Sequence, residues 1–422
     1  MSEISSPANS RIAISCRFCD APLSQTFVNL GMSPLCQTQI PPERLNHFEP
    51  FYPLHAYVCN RCFLVQLDEY VAPDQIFSDQ YPYFSSFSDS WVEHARRYCE
   101  HMQAEHGIDK TSFVVELASN DGYLLQHFAK VGVPVLGIEP TANTAAAARE
   151  KGIETEVAFF GVETAERVRR QKGGADLIVG NNVLAHVPDI RDFVSGMKRL
   201  LADGGIITME FPHLLNLIDK NQFDTIYHEH FSYLSLLTVQ KIFAHFELTI
   251  FDVAEIRTHG GSLRIYARHE KDEEKTVSQR VTVPIQREID LGLDSLAVYE
   301  AFAERVYGTK RDILNFLIMA KKAGKSIAGY GAPGKGNTLL NFCGIGTDFL
   351  DYTVDRSPHK YGTWTPGSRI PIHHPDHIRE TRPDYLFVLP WNLIEEIREQ
   401  TAYIQNWGGK WVTPIPSLEV HG

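Results

Sequence analysis

From Trp91 onward the apolar positions switch between a helical spacing and short continuous runs. WVEHARRYCEHMQAEHG reads as a helix, SFVVELAS as a strand, GYLLQHFAKVG as a helix and VPVLGIEP as a strand. TANTAAAAREKG then reads as a helix, ADLIVGNNVL as a strand, IRDFVSGMKRLLADGG as a helix stopped by its glycines, and IITMEFP as a strand. Apolar strands of about five to seven residues alternating with helices predict a parallel sheet covered on both faces. ELTIFDVAEI and GGSLRIYARHE lie close together and read as an antiparallel closing pair.

On either side the pattern changes. Residues 1–90 are rich in cysteine, proline and aromatics, with short strand-like runs such as HAYVC and little helical period. Such a segment buries little on its own. After the charged, solvated connection HEKDEEKTVSQR come a long helix over Ser295 to Lys322 and the strand, glycine loop and helix of KSIAGYGAPGKGNTLLNF. The strand-like FLDYTVD, YLFVLPW and WVTPIPS follow, which predicts a second, shorter doubly wound domain. The expected class is α/β, in three modules: 1–90, 91–270 and 271–422.

Charge and composition narrow the chemistry. The 422 residues carry 40 Lys+Arg against 52 Asp+Glu, a net charge of −12, which is the wrong sign for a surface that must neutralise a phosphate polymer. A nucleic-acid partner is not expected. No run approaches the ~20 apolar residues of a membrane-spanning helix, and the first fifteen residues lack the basic, apolar and small-residue parts of a secretory signal. A cytoplasmic location and no membrane partner are expected. In that compartment the seven cysteines read as ligands or buried thiols rather than disulfides.

Cys16 and Cys19 form one C-x2-C pair and Cys59 and Cys62 another, with 39 residues between them. Two such knuckles complete a tetrahedron around Zn2+, and four thiolates close the coordination sphere, so the expected metal is structural. Two redox dithiols are the competing reading, but neither pair starts a helix in a βαβ unit. Cys36, Cys99 and Cys343 read as buried small hydrophobes.

In VVELASNDGYLL a strand ends at Glu116, and Ala118, Asn120 and Gly122 let a ligand approach the backbone, with Tyr123 beside them. The next strand ends at Glu139, 23 residues on, where a carboxylate can accept the two hydroxyls of a ribose. The loop lacks a full G-x-G-x-x-G, which favours S-adenosylmethionine, without a pyrophosphate, over NAD. Glu139 also reads as a strand-end surface carboxylate. Asn181, Asn182 and His186 follow the fourth strand, where they face the same crevice. Tyr227, His228, Glu229 and His230 are consecutive, with Tyr233 near; H-E-x-x-H is absent, so acid–base chemistry fits better than catalytic zinc. A polar surface turn reads nearly as well. Tyr81, Tyr83 and Ser85 lie in the aromatic run YPYFSSFSDSW at a module junction, a favoured ligand position or an aromatic hinge plug.

GYGAPGKGNTLL is not a Walker loop. Gly331, Gly334, Lys335, Gly336 and Asn337 nonetheless form a helix-start anion nest suited to a diphosphate, with Asp355, His359 and Lys360 downstream.

With these residues in view, the chain resembles the sugar C-methyltransferases of bacterial deoxysugar pathways, which act on dTDP-4-keto-6-deoxyhexoses. The resemblance runs in order through the four-cysteine module, YPYFSSFSDS, ELASNDGYLL with GIEP, NNVLAHVPD, YHEHFSYLS, HGGSLRI and YGAPGKGNTLL. It implies a zinc-binding N-terminal module, a central Rossmann-like class I methyltransferase domain that binds S-adenosylmethionine, and a C-terminal Rossmann-like domain for the nucleotide of a dTDP- or GDP-sugar. It further implies that His230 is the base, with Tyr227, Glu229, His186 and Tyr81 lining the sugar pocket. On that expectation His230 removes the C3 proton, His186 or Tyr227 stabilises the C4 oxygen and Glu229 orients the histidine. A sugar O- or N-methyltransferase, a non-catalytic zinc-stabilised binding protein and a dehydrogenase are the alternatives. The chain is expected to be a monomer or homodimer.

Overall fold

The computed structural model describes residues 14–72, 76–77, 81 and 83–422. The first sheet is short. Strands β1 (Gln25–Ser33), β2 (Tyr52–Val58) and β3 (Val65–Leu67) pair antiparallel in that order. The inward residues of β1 and β2, among them Phe27, Val28, Leu54 and Ala56, are buried.

The central region starts with α1 (Asp89–His106), whose N-cap Ser88 accepts from the Trp91 amide. It continues through β4 (Val114–Leu117), α2 (Leu125–Ala129), β5 (Val135–Glu139), α3 (Ala142–Glu150), β6 (Thr155–Val157), α4 (Val162–Lys172), β7 (Ala175–Asn181), α5 (Ile190–Leu200) and β8 (Leu201–Pro212). Then follow α6 (Leu214–Asp219), β9 (Ser232–Tyr233), α7 (Leu236–His245), β10 (Leu248–Ile256) and β11 (Ser262–His269). The seven-stranded sheet runs β10-β11-β8-β7-β4-β5-β6. Strands β4 to β8 are parallel, and the expected antiparallel pair β10–β11 closes the sheet against β8. The strand order reverses at β4, with β5 and β6 added on one side and β7 and β8 on the other, which opens a crevice beyond the carboxyl ends of these strands.

β9 leaves this sheet and pairs with β3, so Val65 lies opposite Tyr233 and Gln66 opposite Ser232. The segment just before β9 is therefore held by the N-terminal module.

Two long helices follow. In α8 (Gln279–Leu291), the fully buried Glu288 carboxylate accepts from the Leu236 and Leu237 amides and so caps α7. α9 (Ala297–Lys322) lies along β1, with Phe302 stacked on Phe27 at 4.5 Å. The third sheet comprises β12 (Ile327–Tyr330), β13 (Thr353–Val354), β14 (Ile372–His373), β15 (Tyr385–Val388), β16 (Lys410–Thr413) and β17 (Glu419–His421). Its order is β14-β13-β12-β15-β16-β17, parallel except for β17, with α10 (Gly334–Cys343) following β12.

The elements depart from expectation at three points. GYLLQHFAKVG is helical only over Leu125–Ala129. The helix after β7 stops at Leu200, and β8 starts immediately, passing through the glycines that were read as the stop. The long helix is found as expected, over Ala297–Lys322. Helices α4, α6, α7 and α8 and strands β6, β9, β14 and β17 have no counterpart in the sequence reading; their segments are short or mix charge with apolar residues.

Candidate active site

The four thiols come together. Cys16 Sγ lies 3.6 Å from Cys62 Sγ and Cys19 Sγ 3.5 Å from Cys59 Sγ, and all four sulfurs fall within 4.8 Å of one another. A tetrahedral zinc with Zn–S near 2.3 Å requires sulfurs about 3.8 Å apart, so the set fits the ion. The two knuckles share one backbone shape. The residue four after each leading cysteine donates to its carbonyl, Asp20 to Cys16 and Phe63 to Cys59, both at 3.0 Å, with φ of 59° and 64°. Amides from Gln66 and Arg61 point at the Cys16 and Cys59 sulfurs, donors suited to thiolates.

The knuckles also grip the rest of the site. Arg17, between the first two cysteines, donates to the carbonyls of Pro188 and Leu67 and lies over the Phe231 ring. It thus clamps the loop after His186 and the loop after His230 to the metal module.

In the crevice, Glu139 is nearly fully buried and accepts from the Asn120 amide at 2.8 Å and from the Thr141 amide and hydroxyl. Burial still raises its pKa. It is not a surface carboxylate. Glu116 is fully buried beside Tyr123, and burial together with Glu139 and Asp121 pushes its pKa well up. Ala118 and Asn120 have φ of 55° and 50° and Gly122 of 74°; a side chain on Gly122 would meet Ile153 at 3.1 Å. Asn181 Nδ2 donates to the Tyr123 hydroxyl at 3.3 Å, and the Asn182 amide donates to the Glu210 carbonyl at the same strand ends. Burial raises the Glu210 carboxylate, but His94 and Arg264 outweigh it and bring it down to about 2.

The aromatic run closes over this crevice. Asn120 accepts from the Ser85 amide at 2.8 Å and donates to the Tyr83 carbonyl at 3.1 Å, Asn143 donates to the Tyr81 carbonyl at 2.8 Å, and Lys151 bridges Ser86 and Asp121. Tyr83 and Ser85 therefore act here through main-chain bonds to the Asn120 loop, while Tyr83's ring is half exposed. The Tyr81 ring meets Phe77, and burial first, then the Glu229 charge, push its phenol pKa well up.

Beside it lies the Y-H-E-H motif. The rings of His186 and His230 are 4.6 Å apart and those of Tyr227 and His230 4.1 Å apart, and Phe77 lies edge-on to His186. His230 Nδ1 donates to the Thr225 carbonyl at 3.1 Å. A carbonyl only accepts, so Nδ1 carries the proton and the neutral ring has its lone pair at Nε2. Thr225 thus anchors one ring nitrogen of His230 through its main chain. The Glu229 carboxylate accepts from the Cys36 thiol, and burial raises its carboxyl to about 7. Burial likewise keeps the phenols of Tyr227 and Tyr81 protonated. His228 points the other way, to the Pro53 carbonyl of β2.

The second glycine loop packs onto the same motif. Thr338 donates to the Ile226 carbonyl, and Trp391 Nε1 donates to Asp224 at 2.7 Å. Lys335 bonds Asn392 and lies over the Trp391 ring, and burial lowers its pKa to about 8 although Asp224 opposes it. Gly331 and Gly336 pack against Pro390 and Leu389, so these glycines serve close packing as well as any anion nest. Asn337 donates to the Cys36 carbonyl at 2.7 Å. Asp355 accepts from the Ala332 and Ser357 amides and pairs with Lys360 at 3.2 Å; His359 stacks on Phe87 of the aromatic run. Sequence reasoning missed Asp224, Thr225, Arg17 and Trp391; Cys36 is buried as expected, and its thiol also donates to Glu229.

Three comparisons bear on this arrangement. C-methyltransferase NovU of Streptomyces niveus is 35% identical over 408 residues, 96% of each chain. The chain belongs to this C-methyltransferase family. Family models agree along its length: a zinc binding domain over residues 16–77, a methyltransferase domain over 91–253 and a C-methyltransferase C-terminal domain over 257–416. A ubiquinone biosynthesis O-methyltransferase of Chelativorans sp. (strain BNC1) is 28% identical over 95 residues, 22% of this chain and 38% of its own. Among solved structures, magnesium protoporphyrin IX methyltransferase of Synechocystis PCC 6803 with bound SAH is similar at 15% identity and a TM-score of 0.34. That match covers 42% of this chain and 83% of that one. The C-methyltransferase is S-adenosylmethionine-dependent, with a four-cysteine zinc site. No helix among the described residues is long and apolar enough to cross a membrane.

Proposed function

We propose that this C-methyltransferase transfers a methyl group to C3 of a nucleotide-linked 4-keto-6-deoxyhexose through an enolate. The observation that carries the reading is the convergence of His230, Tyr227, His186, Glu229 and Tyr81 beside the crevice of Glu139 and Asn120. Carbon is a poor nucleophile, and a proton next to a ketone is the one such a cluster can remove.

S-adenosylmethionine supplies an electrophilic methyl group when bound. Glu116, Ala118, Asn120, Gly122, Tyr123, Glu139 and Asn181 would hold it. His230, its Nδ1–H fixed on Thr225, takes the C3 proton at Nε2, and the electron pair moves into the C3–C4 bond and onto the C4 oxygen. Tyr227 keeps its proton and, with His186, donates to that oxygen as charge develops. C3 would then accept the methyl group that the bound donor would supply, and no catalytic metal is invoked. Tyr81, Tyr83, Ser85 and Asn182 border the sugar. Gly331, Lys335, Gly336, Asn337, Asp355 and Lys360 serve the dTDP or GDP part, and we assign 1–90, 91–270 and 271–422 to metal, methyl donor and nucleotide.

The test is deuterium wash-in. Incubated in D2O with the keto sugar and S-adenosylhomocysteine, the enzyme is expected to exchange the C3 proton, and His230→Ala to abolish exchange while binding both ligands. Undiminished exchange by the variant removes His230 as the base.

A further inference from the structure

Cys36 lies where all three modules meet. It belongs to the metal module, yet its carbonyl accepts from Asn337 in the first turn of α10 and its thiol donates to Glu229 Oε1 at 3.8 Å. Cys36 is 3% and Asn337 1% exposed. The fit is close: a side chain on Gly334 would come within 3.0 Å of Cys36 Sγ and displace it. Among the described residues, the phenols of Tyr81 and Tyr227 also feel the Glu229 charge.

We propose that Cys36 is a positioning residue that couples the nucleotide-sugar seat to Glu229. Seating of the nucleotide at the start of α10 acts on Asn337, Asn337 holds the Cys36 main chain, and the thiol sets the rotamer and protonation of Glu229. The inference rests on the reading of Glu229 as a sugar-pocket carboxylate. It gives the metal module a role in the chemistry that its four ligands do not: one of its side chains tunes the pocket. The S–H donor favours the carboxylate and opposes the effect of burial, so its loss raises the Glu229 pKa.

The experiment compares the wild type with Cys36→Ala, Cys36→Ser, Asn337→Ala and Glu229→Gln, each checked for zinc content and a wild-type melting curve. The readouts are kcat, KM and the pH profile of kcat/KM for the keto nucleotide sugar. Cys36→Ala is expected to lower kcat about tenfold, to leave KM for S-adenosylmethionine unchanged, and to move upward the limb of the profile that Glu229→Gln removes. Cys36→Ser restores the limb, because serine keeps a donor. Asn337→Ala shifts the same limb and raises KM for the nucleotide sugar. An unmoved limb in folded Cys36→Ala, or serine behaving as alanine does, overturns the proposal. Normal turnover by Glu229→Gln overturns the pocket reading itself.

Discussion

The imidazoles of His186 and His230 meet edge to face, 4.6 Å between ring centroids, although one follows β7 and the other precedes β9. Arg17 of the first knuckle bonds the carbonyl just after the His186 loop and covers the ring just after His230. The pair is thus assembled by the metal module, which contributes neither ring.

Removing the zinc is therefore expected to cost catalysis as well as stability. One zinc per chain by elemental analysis, and a lowered melting temperature with lost turnover after chelation or Cys59→Ser, are the expected results. Wild-type melting and turnover in zinc-free protein would contradict this.

Substitution His230→Ala is expected to reduce kcat by about 10²–10⁴-fold, the usual worth of a general base, with S-adenosylmethionine affinity unchanged. Isothermal titration and steady-state kinetics on the same preparation separate the two.

Glu229 gives a signature independent of turnover. Burial raises its carboxyl from an ordinary 4.5 to about 7, so the fold binds the proton more tightly than the unfolded chain does. That contribution to stability is complete below about 4.5 and is lost as pH rises through 7. Glu229→Gln removes the dependence. Between pH 4.5 and 8 the variant's stability relative to wild type should rise by about 3 kcal/mol, measured by guanidinium unfolding. Parallel curves for the two proteins would contradict the assignment.

Asn120 ties the aromatic run to the cofactor crevice with φ at 50°, a conformation glycine adopts freely. Asn120→Gly keeps the backbone and loses both ties. The expected result is a weaker hold on S-adenosylmethionine, about tenfold in Kd, with the melting temperature little changed.

Much of this was readable from local pattern. Parallel strands buried on both faces are continuous apolar runs, so VVEL and VLGIE were legible, and C-x2-C pairs carry their chemistry in four residues. Long-range partnerships were not. β9 is two residues long and earns its place only by pairing with β3, and Asp224 is explained by Trp391, 167 residues away. Cys36 has the composition of a core residue, and nothing near it in the chain announces Glu229. The carbonyl that holds His230 Nδ1 belongs to the main chain, which no side-chain motif encodes.

The central claim is that a ketone acidifies the carbon that is methylated. The most direct measurement is mass spectrometry after reaction with methyl-deuterated S-adenosylmethionine, offering dTDP- and GDP-4-keto-6-deoxyhexoses beside their C4-reduced counterparts. The account predicts label in a keto sugar, bound to carbon, and none in any reduced sugar. Label in the reduced sugars would contradict it and point to methylation of oxygen.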